Sequence, residues 1–171
     1  WCVPTLSVGV HQSIKSIGQY ISTNTEKDNL YSIVRRPTGG RAILHGDDIS
    51  FSFVTNHPEL MTRSIYDSYH LLNNFIQASL DRLGISTRTS PLATSCGYTG
   101  SASCFETKTP SDLMDKGGKK LVGAAQCRRH PALLQHGAAF VEPYVIDSSI
   151  FSQTMFSQVA GDDINPLPQL D

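Results

Sequence analysis

Residues 35–45 read RRPTGGRAILH, and this stretch decides how the rest of the chain is interpreted. Two adjacent glycines, Gly39 and Gly40, lie between two segments of strand-like composition, and Pro37 interrupts the first of them. Because glycine has no Cβ, a ligand can approach the backbone closely at this point. The flanking arginines suit a phosphate or a carboxylate. Taken alone, the same pattern also fits an ordinary glycine hairpin with solvated surface arginines.

The segments around this motif predict mostly β-structure. Apolar or alternating residues bounded by polar residues, glycine or proline are typical of strands. They occur in residues 5–10, 31–36, 41–45, 49–55, 119–126 and 132–142. We expect the strands on either side of Gly39 and Gly40 to form a hairpin, and residues 127–131 to form the turn between the last two strands.

One long helix is predicted at residues 58–83. Its apolar residues recur at three- and four-residue steps and form one stripe, which is expected to pack against a sheet. The stripe consists of Ile65, Tyr69, Leu72, Phe75, Ile76, Leu80 and Leu83. Gly84 is suited to end the helix, and shorter helical segments are predicted at residues 110–115 and 146–159. Because strands outnumber helices, the sequence predicts an α+β domain with a mixed, mostly antiparallel sheet flanked by helices.

The composition fits a single domain without a strongly charged partner. The chain has 171 residues, of which 39% are hydrophobic and 17% charged, and its formal net charge is -1. A chain of this length can bury a real core, and such a charge does not favour nucleic acid or an anionic membrane. No apolar run is long enough to cross a bilayer, and the first residues lack the pattern of a signal peptide. We therefore expect a cytoplasmic protein that binds neither nucleic acid nor membranes.

The four cysteines match no disulfide framework and no zinc site. There is no Cys-x-x-Cys pair, and no cysteine and histidine have zinc-ligand spacing. A domain with a sizeable core does not need disulfides, so we expect reduced thiols and no metal. The cysteines are Cys2, Cys96, Cys104 and Cys127, of which one or two at most are expected to be reactive.

Two further segments contain candidate ligand-binding residues. Residues 118–126, GKKLVGAAQ, place Lys120 at the start of a strand of small residues, where it could project over a channel floored by backbone. Residues 133–137, LLQHG, place His136 before a glycine at a predicted strand kink. Taken alone, each segment is better explained by structure, as a solvated lysine on an edge strand and as a structural histidine.

Taken together and in this order, the three motifs resemble the shared pattern of lipoate–protein ligases and octanoyltransferases. The opening residues, WCVPTLSVGVHQS, look like a strand of the same family, so the resemblance runs from Trp1 to about Phe140. It implies the fold of the biotin/lipoate protein ligase catalytic domain. The family has a further strand and helix before this opening segment, so we expect residues 1–171 to form a single acyltransferase catalytic domain without those elements.

The resemblance also implies the site residues. Cys104 lies in the segment SCFE at residues 103–106 and resembles the nucleophile of octanoyltransferases with a Cys-Phe loop. We expect Cys104 and Lys120 to be catalytic, because the Lys120 ammonium would favour the thiolate and stabilise the oxyanion. If burial lowers the pKa of Lys120, its neutral amine would also accept the proton of the acceptor lysine. Cys96 is the nearest rival nucleophile. The expected substrate-binding residues are Arg36, Gly39, Gly40, Arg41, His45, Gly123, Ala124, Gln126 and His136.

The family includes three related chemistries. An octanoyltransferase takes octanoate from acyl carrier protein through a cysteine thioester and passes it to a lysine of a lipoyl domain, such as the glycine-cleavage H protein or a dehydrogenase E2 subunit. A lipoate ligase uses ATP and no catalytic cysteine, and an amidotransferase moves the acyl group between lipoyl-bearing proteins. Cys104, with Arg41 in place of a third glycine common in ligases, favours the octanoyltransferase, which needs no metal and no cofactor. A non-catalytic binding module is disfavoured by the intact Cys104, Lys120 and glycine pair.

Overall fold

The computed structural model describes residues 1–13, 15, 32–90 and 112–140. Its elements, in chain order, are β1 (Thr5–Val8), β2 (Ser32–Arg35), β3 (Ile43–His45), β4 (Ile49–Thr55), α1 (Pro58–Thr62), α2 (Ile65–Arg82), β5 (Arg88–Thr89), β6 (Leu113–Met114), β7 (Lys120–Arg129) and β8 (Ala132–Ala139). The predicted strands are confirmed with changed boundaries. The helix predicted at residues 146–159 lies outside the described residues.

The strands form two sheets. In the first, with the order β2-β1-β3, the central strand β1 pairs parallel with β2 and antiparallel with β3. The second has the order β4-β8-β7-β6-β5 and is antiparallel throughout. The predicted α+β class with a mixed, mostly antiparallel arrangement is confirmed.

The hairpin predicted around Gly39 and Gly40 is wrong. Strand β1 lies between β2 and β3, so the loop at residues 36–42 has to pass the end of β1 to connect them. The loop is held there by a backbone hydrogen bond from the Val10 N–H to the Thr38 carbonyl, at 3.0 Å. A glycine pair permits a tight turn, but it does not determine whether the two flanking strands pair with each other.

The predicted long helix is in fact two helices, interrupted at Arg63 and Ser64. Ser64 is the N-cap of α2, and its side chain accepts a hydrogen bond from the Asp67 N–H at 3.0 Å. Serine favours this position over a helix interior, because its hydroxyl satisfies an N–H that has no partner in the first turn. Helix α2 ends at Arg82, and Gly84 follows with a φ of +78°, which confirms the predicted stop.

Arg128 of β7 stabilises the break between the two helices. Its guanidinium donates hydrogen bonds to the carbonyls of Met61 and Arg63, at 3.2 and 2.8 Å, where helical hydrogen bonding is interrupted. A further bond joins it to the Ser68 hydroxyl in α2 at 2.7 Å. Arg128 therefore belongs to a strand and not to the predicted turn at residues 127–131, since β7 continues to Arg129.

The main hydrophobic core lies between α2 and the five-stranded sheet. It is formed by Ile76, Leu80, Ile85, Leu113, Leu121, Val122 and Ala139. The predicted apolar stripe is confirmed at Leu72, Ile76 and Leu80, which are at most 3% exposed. It is wrong at Ile65, which is 65% exposed in the first turn of α2.

The helical turn predicted at residues 110–115 is wrong for the part that is described. Leu113 and Met114 form strand β6, which pairs with β7. Both side chains are buried, and their contacts within the sheet outweigh the weak local preference for a turn. In the described ranges, no helix is both long enough and apolar enough to cross a membrane.

Candidate active site

A cavity of about 370 Å³ is lined by strands of both sheets. Its lining residues are Trp1, Ser7, Val34, Arg36, Gly40, Ile43, His45, Ser50, Phe51, Ser52, Gly123, Ala124, Ala125, His136 and Gly137. The three sequence motifs, which lie far apart along the chain, therefore meet at one place. Of the predicted substrate-binding residues, Arg36, Gly40, His45, Gly123, Ala124 and His136 line this cavity, whereas Gly39, Arg41 and Gln126 do not.

Strands β7 and β8 form one wall of the cavity from small residues. Ala124 pairs with Gly137, and Ala125 pairs with His136 in the antiparallel ladder. A Cβ atom at Gly137 would overlap the Gly123 carbonyl oxygen and the Phe51 ring. The glycine is therefore required by the close approach of the strands, and this wall of the cavity is built largely of backbone.

His136 connects this wall to the glycine-rich loop. Its Nε2 atom lies 2.6 Å from the hydroxyl of Thr38, which is fully buried. Burial, followed by the positive charge of Arg36 and the nearby His45, lowers the pKa of His136 from its usual value of 6.5. The imidazole is therefore neutral at physiological pH and can form a hydrogen bond without bringing charge into the cavity.

His45 belongs to a second hydrogen-bonded group that lines the cavity. Its Nδ1 atom lies 2.9 Å from the Asp48 carboxylate, and the Ser50 hydroxyl donates to the same oxygen at 2.8 Å. The Trp1 indole stacks on the imidazole, with ring centroids 4.4 Å apart, and donates to the Ser50 hydroxyl at 2.7 Å. The orientation of the His45 ring is thus determined both by a hydrogen bond and by an aromatic contact.

The Asp48 carboxyl group remains ionised in this environment. Burial by itself raises the pKa of Asp48. Hydrogen bonds from His45, Ser50 and the Gly46 N–H outweigh burial, so that the pKa lies below the usual 3.8. A carboxylate therefore faces His45 at any pH near neutrality.

The Arg36 guanidinium is buried and holds the glycine-rich loop together. It donates hydrogen bonds to the carbonyls of Ser7, Gly39 and Arg41, at 2.9, 2.9 and 2.6 Å. Gly40 turns there with a φ of +87°, and a Cβ at this residue would lie 3.0 Å from the Arg36 Nη2 atom. Arg36 is therefore not part of a solvated basic surface. Its role toward a substrate stays a prediction.

Lys120 is a buried residue and not the solvated edge-strand lysine of the alternative interpretation. Its ammonium forms an ion pair with Asp112 at 2.8 Å, and the two side chains are only 3% and 1% exposed. Lys120 is not among the residues that line the cavity. The predicted partner Cys104 and its rival Cys96 lie outside the described residues, so the proximity of Cys104 to Lys120 also stays a prediction.

The Gln126 side chain lies on the helix side of the sheet. Its amide nitrogen donates to Gln135 at 2.9 Å, and its oxygen accepts from Ser68 of α2 at 3.2 Å. Because side chains alternate along a strand, Gln126 points away from the face on which the neighbouring pair Ala125 and His136 lies.

Several residues that shape the site were not predicted from the sequence. Asp48 and Asp112 are the most important, because each pairs with a predicted site residue. For Asp48, the three-residue spacing from His45 was an available signal, whereas the partners of Lys120 depend on the tertiary fold. Among the described residues, no group of three or more histidine, cysteine or acidic side chains is arranged to hold a metal ion. Cys2 and Cys127 are free thiols.

Solved structures share this architecture. A lipoate-protein ligase A bound with ATP has a TM-score of 0.68 and 21% identity, covering 91% of this chain and 68% of its own. Protein Ta0514 from T. acidophilum, solved with bound lipoic acid, has a TM-score of 0.68 and 22% identity with the same coverage. At these identities the likeness shows the fold alone. The fold is that of a lipoate protein ligase catalytic domain.

The family follows from the sequence match. The model of the lipoyl protein ligase A/B catalytic domain matches residues 2–161, and the chain belongs to this family. It is 36% identical to octanoyltransferase LipM of Moorella thermoacetica over 146 residues, which is 81% of this chain and 50% of that protein. It is 32% identical to octanoyltransferase LipM of Bacillus subtilis over 151 residues, which is 83% of this chain and 52% of that protein. The chain thus spans about half the length of these curated relatives.

Proposed function

We propose that this chain carries the catalytic site of an octanoyltransferase, which moves an octanoyl group from acyl carrier protein to a lysine of a lipoyl domain. The observation that carries the proposal is the convergence of the three family motifs on one cavity. The names of the relatives from Moorella thermoacetica and Bacillus subtilis support it. The acceptor would be a protein such as the glycine-cleavage H protein or a dehydrogenase E2 subunit.

In the first half of the reaction, the Cys104 thiolate attacks the octanoyl thioester of the carrier protein. A new thioester forms on Cys104, and the pantetheine thiolate leaves, so one thioester replaces another at little cost in free energy. The Lys120 ammonium, held by Asp112, would donate a hydrogen bond to the oxyanion of the tetrahedral intermediate. The buried ion pair supports this role, because it restrains the side chain that has to point at the developing charge.

The octanoyl chain would occupy the cavity beside β7 and β8. Gly123, Ala124, Ala125 and Gly137 present little side-chain volume there, and Ile43 and Phe51 add apolar contacts. A wall of this kind selects only weakly among acyl chain lengths, because one methylene group changes the binding free energy in an apolar pocket by about 1–3 kcal/mol. We therefore expect neighbouring chain lengths to be accepted at reduced rates.

The proposal is tested by recording the intact mass of the purified protein after incubation with octanoyl-acyl carrier protein in the absence of ATP. We expect a gain of one octanoyl group, which hydroxylamine removes because thioesters react with this nucleophile. Cys104→Ala should abolish the adduct, whereas the matched variant Cys127→Ala should retain it. Cys127 is a free thiol within β7 and serves to control for adventitious acylation.

Two results would contradict the proposal in different ways. If the wild-type protein gains no adduct, and the acceptor is modified only when ATP and free acid are supplied, the protein is a ligase. If Cys104→Ala still gains the hydroxylamine-sensitive adduct, acyl transfer uses another thiol, and the role of Cys104 is wrong.

A further inference from the structure

The pair formed by His45 and Asp48 has the geometry of a histidine oriented for proton transfer. The Nδ1 atom of His45 faces the buried Asp48 carboxylate at 2.9 Å, and this oxygen also accepts a bond from Ser50. A carboxylate in this position stabilises the tautomer that carries its proton on Nδ1. Within the described part of the chain, His45 forms no hydrogen bond through Nε2. The unprotonated nitrogen of this tautomer is therefore the one that can accept a proton.

The environment of Asp48 supports its part in this arrangement. Its second oxygen accepts a hydrogen bond from the Gly46 N–H at 3.0 Å, so the carboxylate is held at both oxygens. Trp1 covers one face of the His45 ring. Among the described residues, the other titratable groups that line the cavity are Arg36, whose guanidinium donates to the Ser7 carbonyl, and His136, whose Nε2 faces Thr38. His45 is thus the cavity histidine whose ring is oriented by an acidic partner.

Lys120 has a different environment, in which its ammonium is paired with a carboxylate. It is the countercharge of the buried Asp112 carboxylate at 2.8 Å. An ammonium can donate hydrogen bonds to an oxyanion, but only an unprotonated nitrogen can accept a proton. The second half of the reaction needs such an acceptor, because the attacking lysine of the lipoyl domain has to lose protons to become an amide nitrogen.

We propose that His45 is the general base of the second half-reaction, and that Asp48 is the positioning residue that holds it; this inference rests on the octanoyltransferase function proposed above. The acceptor amine attacks the thioester carbon, and a carbon–nitrogen bond forms. A proton moves from that nitrogen to Nε2 of His45. The carbon–sulfur bond then breaks, the Cys104 thiolate leaves, and the imidazolium returns its proton to the thiolate or to solvent.

Measuring the two half-reactions separately distinguishes a general base of the second step from a residue that acts in the first step. The acyl-enzyme is formed with octanoyl-acyl carrier protein, freed of donor, and mixed with an excess of unmodified lipoyl domain. The octanoyl group is then followed by intact mass on both proteins. In His45→Asn, a side-chain amide can still donate to Asp48, but no base remains. We expect acylation to slow far less than transfer, which should slow by about 10²–10⁴-fold, the usual contribution of a general base.

Two further measurements test the role of His45 independently: the rates of Asp48→Asn, and cleavage of the acyl-enzyme by hydroxylamine. Asp48→Asn should slow transfer by a smaller factor, and Asp48→Glu should restore part of the rate, because the carboxylate only positions His45. Hydroxylamine is largely unprotonated near neutral pH, so it needs no base to attack. Its rate of deacylation of the His45→Asn acyl-enzyme should stay within a few-fold of wild type. This result would support proton transfer over a general role of His45 in shaping the cavity.

Other outcomes overturn the inference. If His45→Asn slows acylation, transfer and hydroxylamine cleavage equally, His45 only shapes the cavity. If transfer from the His45→Asn acyl-enzyme proceeds at the wild-type rate, another group is the base. If the wild-type protein forms no acyl-enzyme at all, the proposed function fails first, and the inference fails with it. Circular dichroism of each variant shows whether a loss of rate comes from misfolding. If His45→Asn is misfolded, the rates of Asp48→Asn decide whether His45 acts as the base.

Discussion

Gly137→Ala tests the close packing of the strands that form the cavity wall. Gly137 lies in β8, an interior strand of the five-stranded sheet, between Phe51 of β4 and Ala124 of β7. An added Cβ would overlap the Gly123 carbonyl oxygen and would lie 2.5 Å from the Phe51 Cζ atom and 3.0 Å from the Ala124 Cα atom. Two of these three neighbours are backbone atoms of β7, which cannot move without lengthening the hydrogen bonds of the ladder.

The magnitude follows from the cost of overpacking. Inserting a methyl group into a well-packed site costs about 1–3 kcal/mol, and here the neighbours that would have to give way are mostly backbone. For a chain of this size, 1 kcal/mol corresponds to about 2–4 °C in Tm. We therefore expect Gly137→Ala to lower Tm by about 2–12 °C, measured by thermal denaturation monitored by circular dichroism, and to lower the urea midpoint as well.

Gly46→Ala is the matched control. A Cβ at Gly46 would meet no atom within 4 Å, and the residue has no positive φ. The same change of glycine to alanine should therefore be neutral or stabilise the protein by up to about 1 kcal/mol, through the unfolded state. If Gly137→Ala has the same urea midpoint and slope as Gly46→Ala, the close approach of β8 to β7 is not as described.

Three further predictions concern buried polar groups. Lys120→Met should lower the free energy of unfolding by about 3–5 kcal/mol, because it removes one partner of a buried ion pair. In urea melts, the double variant Lys120→Met with Asp112→Leu should recover most of the lost stability. If Lys120→Met alone leaves the free energy of unfolding unchanged, the ion pair is not as described. The lowered pKa of His136 means that the unfolded chain binds more protons than the folded one between the folded-state pKa and 6.5. The contribution of His136 to stability should therefore be fully present above pH 6.5 and be lost as the pH decreases through that interval. His136→Gln should flatten this part of the plot of urea midpoint against pH. If the variant and the wild type give the same plot, the lowered pKa does not belong to His136. Arg36→Lys should lower the free energy of unfolding by at least about 2 kcal/mol, because the guanidinium reaches its three carbonyls through two nitrogens and a lysine offers only one. The exposed Arg63→Lys should cost less than about 1 kcal/mol in the same assay.

Local patterns were enough to predict much of the fold. The alternation of apolar and polar residues at 49–55 corresponds to β4, in which partly buried and exposed residues alternate. The stop at Gly84 was predictable because the left-handed conformation after a helix favours glycine. The convergence of the three motifs on one cavity was predictable only through the family resemblance, since no spacing within the chain indicates that His136 lies near Thr38.

The features that could not be predicted depend on contacts between distant segments. Whether β2 pairs with β3 depends on β1, which lies between them. Nothing in the sequence of the connecting loop indicates that another strand is inserted there. The orientation of Gln126 depends on the register of β7, because a shift of one residue would turn it to the other face. The countercharge of Lys120 comes from Asp112, and both residues are polar positions that propensity alone would assign to the surface.

The loop that passes the end of β1 has a consequence for how its motif should be used in comparing sequences. Neighbouring strands lie about 4.8 Å apart, so this loop spans about 10 Å between β2 and β3, twice the distance across a hairpin. Arg36 donates hydrogen bonds to main-chain carbonyls of the loop and of β1 and so holds the loop in place. Any protein with this strand order needs contacts that stabilise this connection. The arginine–glycine signature is therefore a marker of topology, and it can be shared by relatives whose reactions differ. Assigning a reaction to such a relative requires residues outside the loop, those that contact the acyl group and its nucleophile.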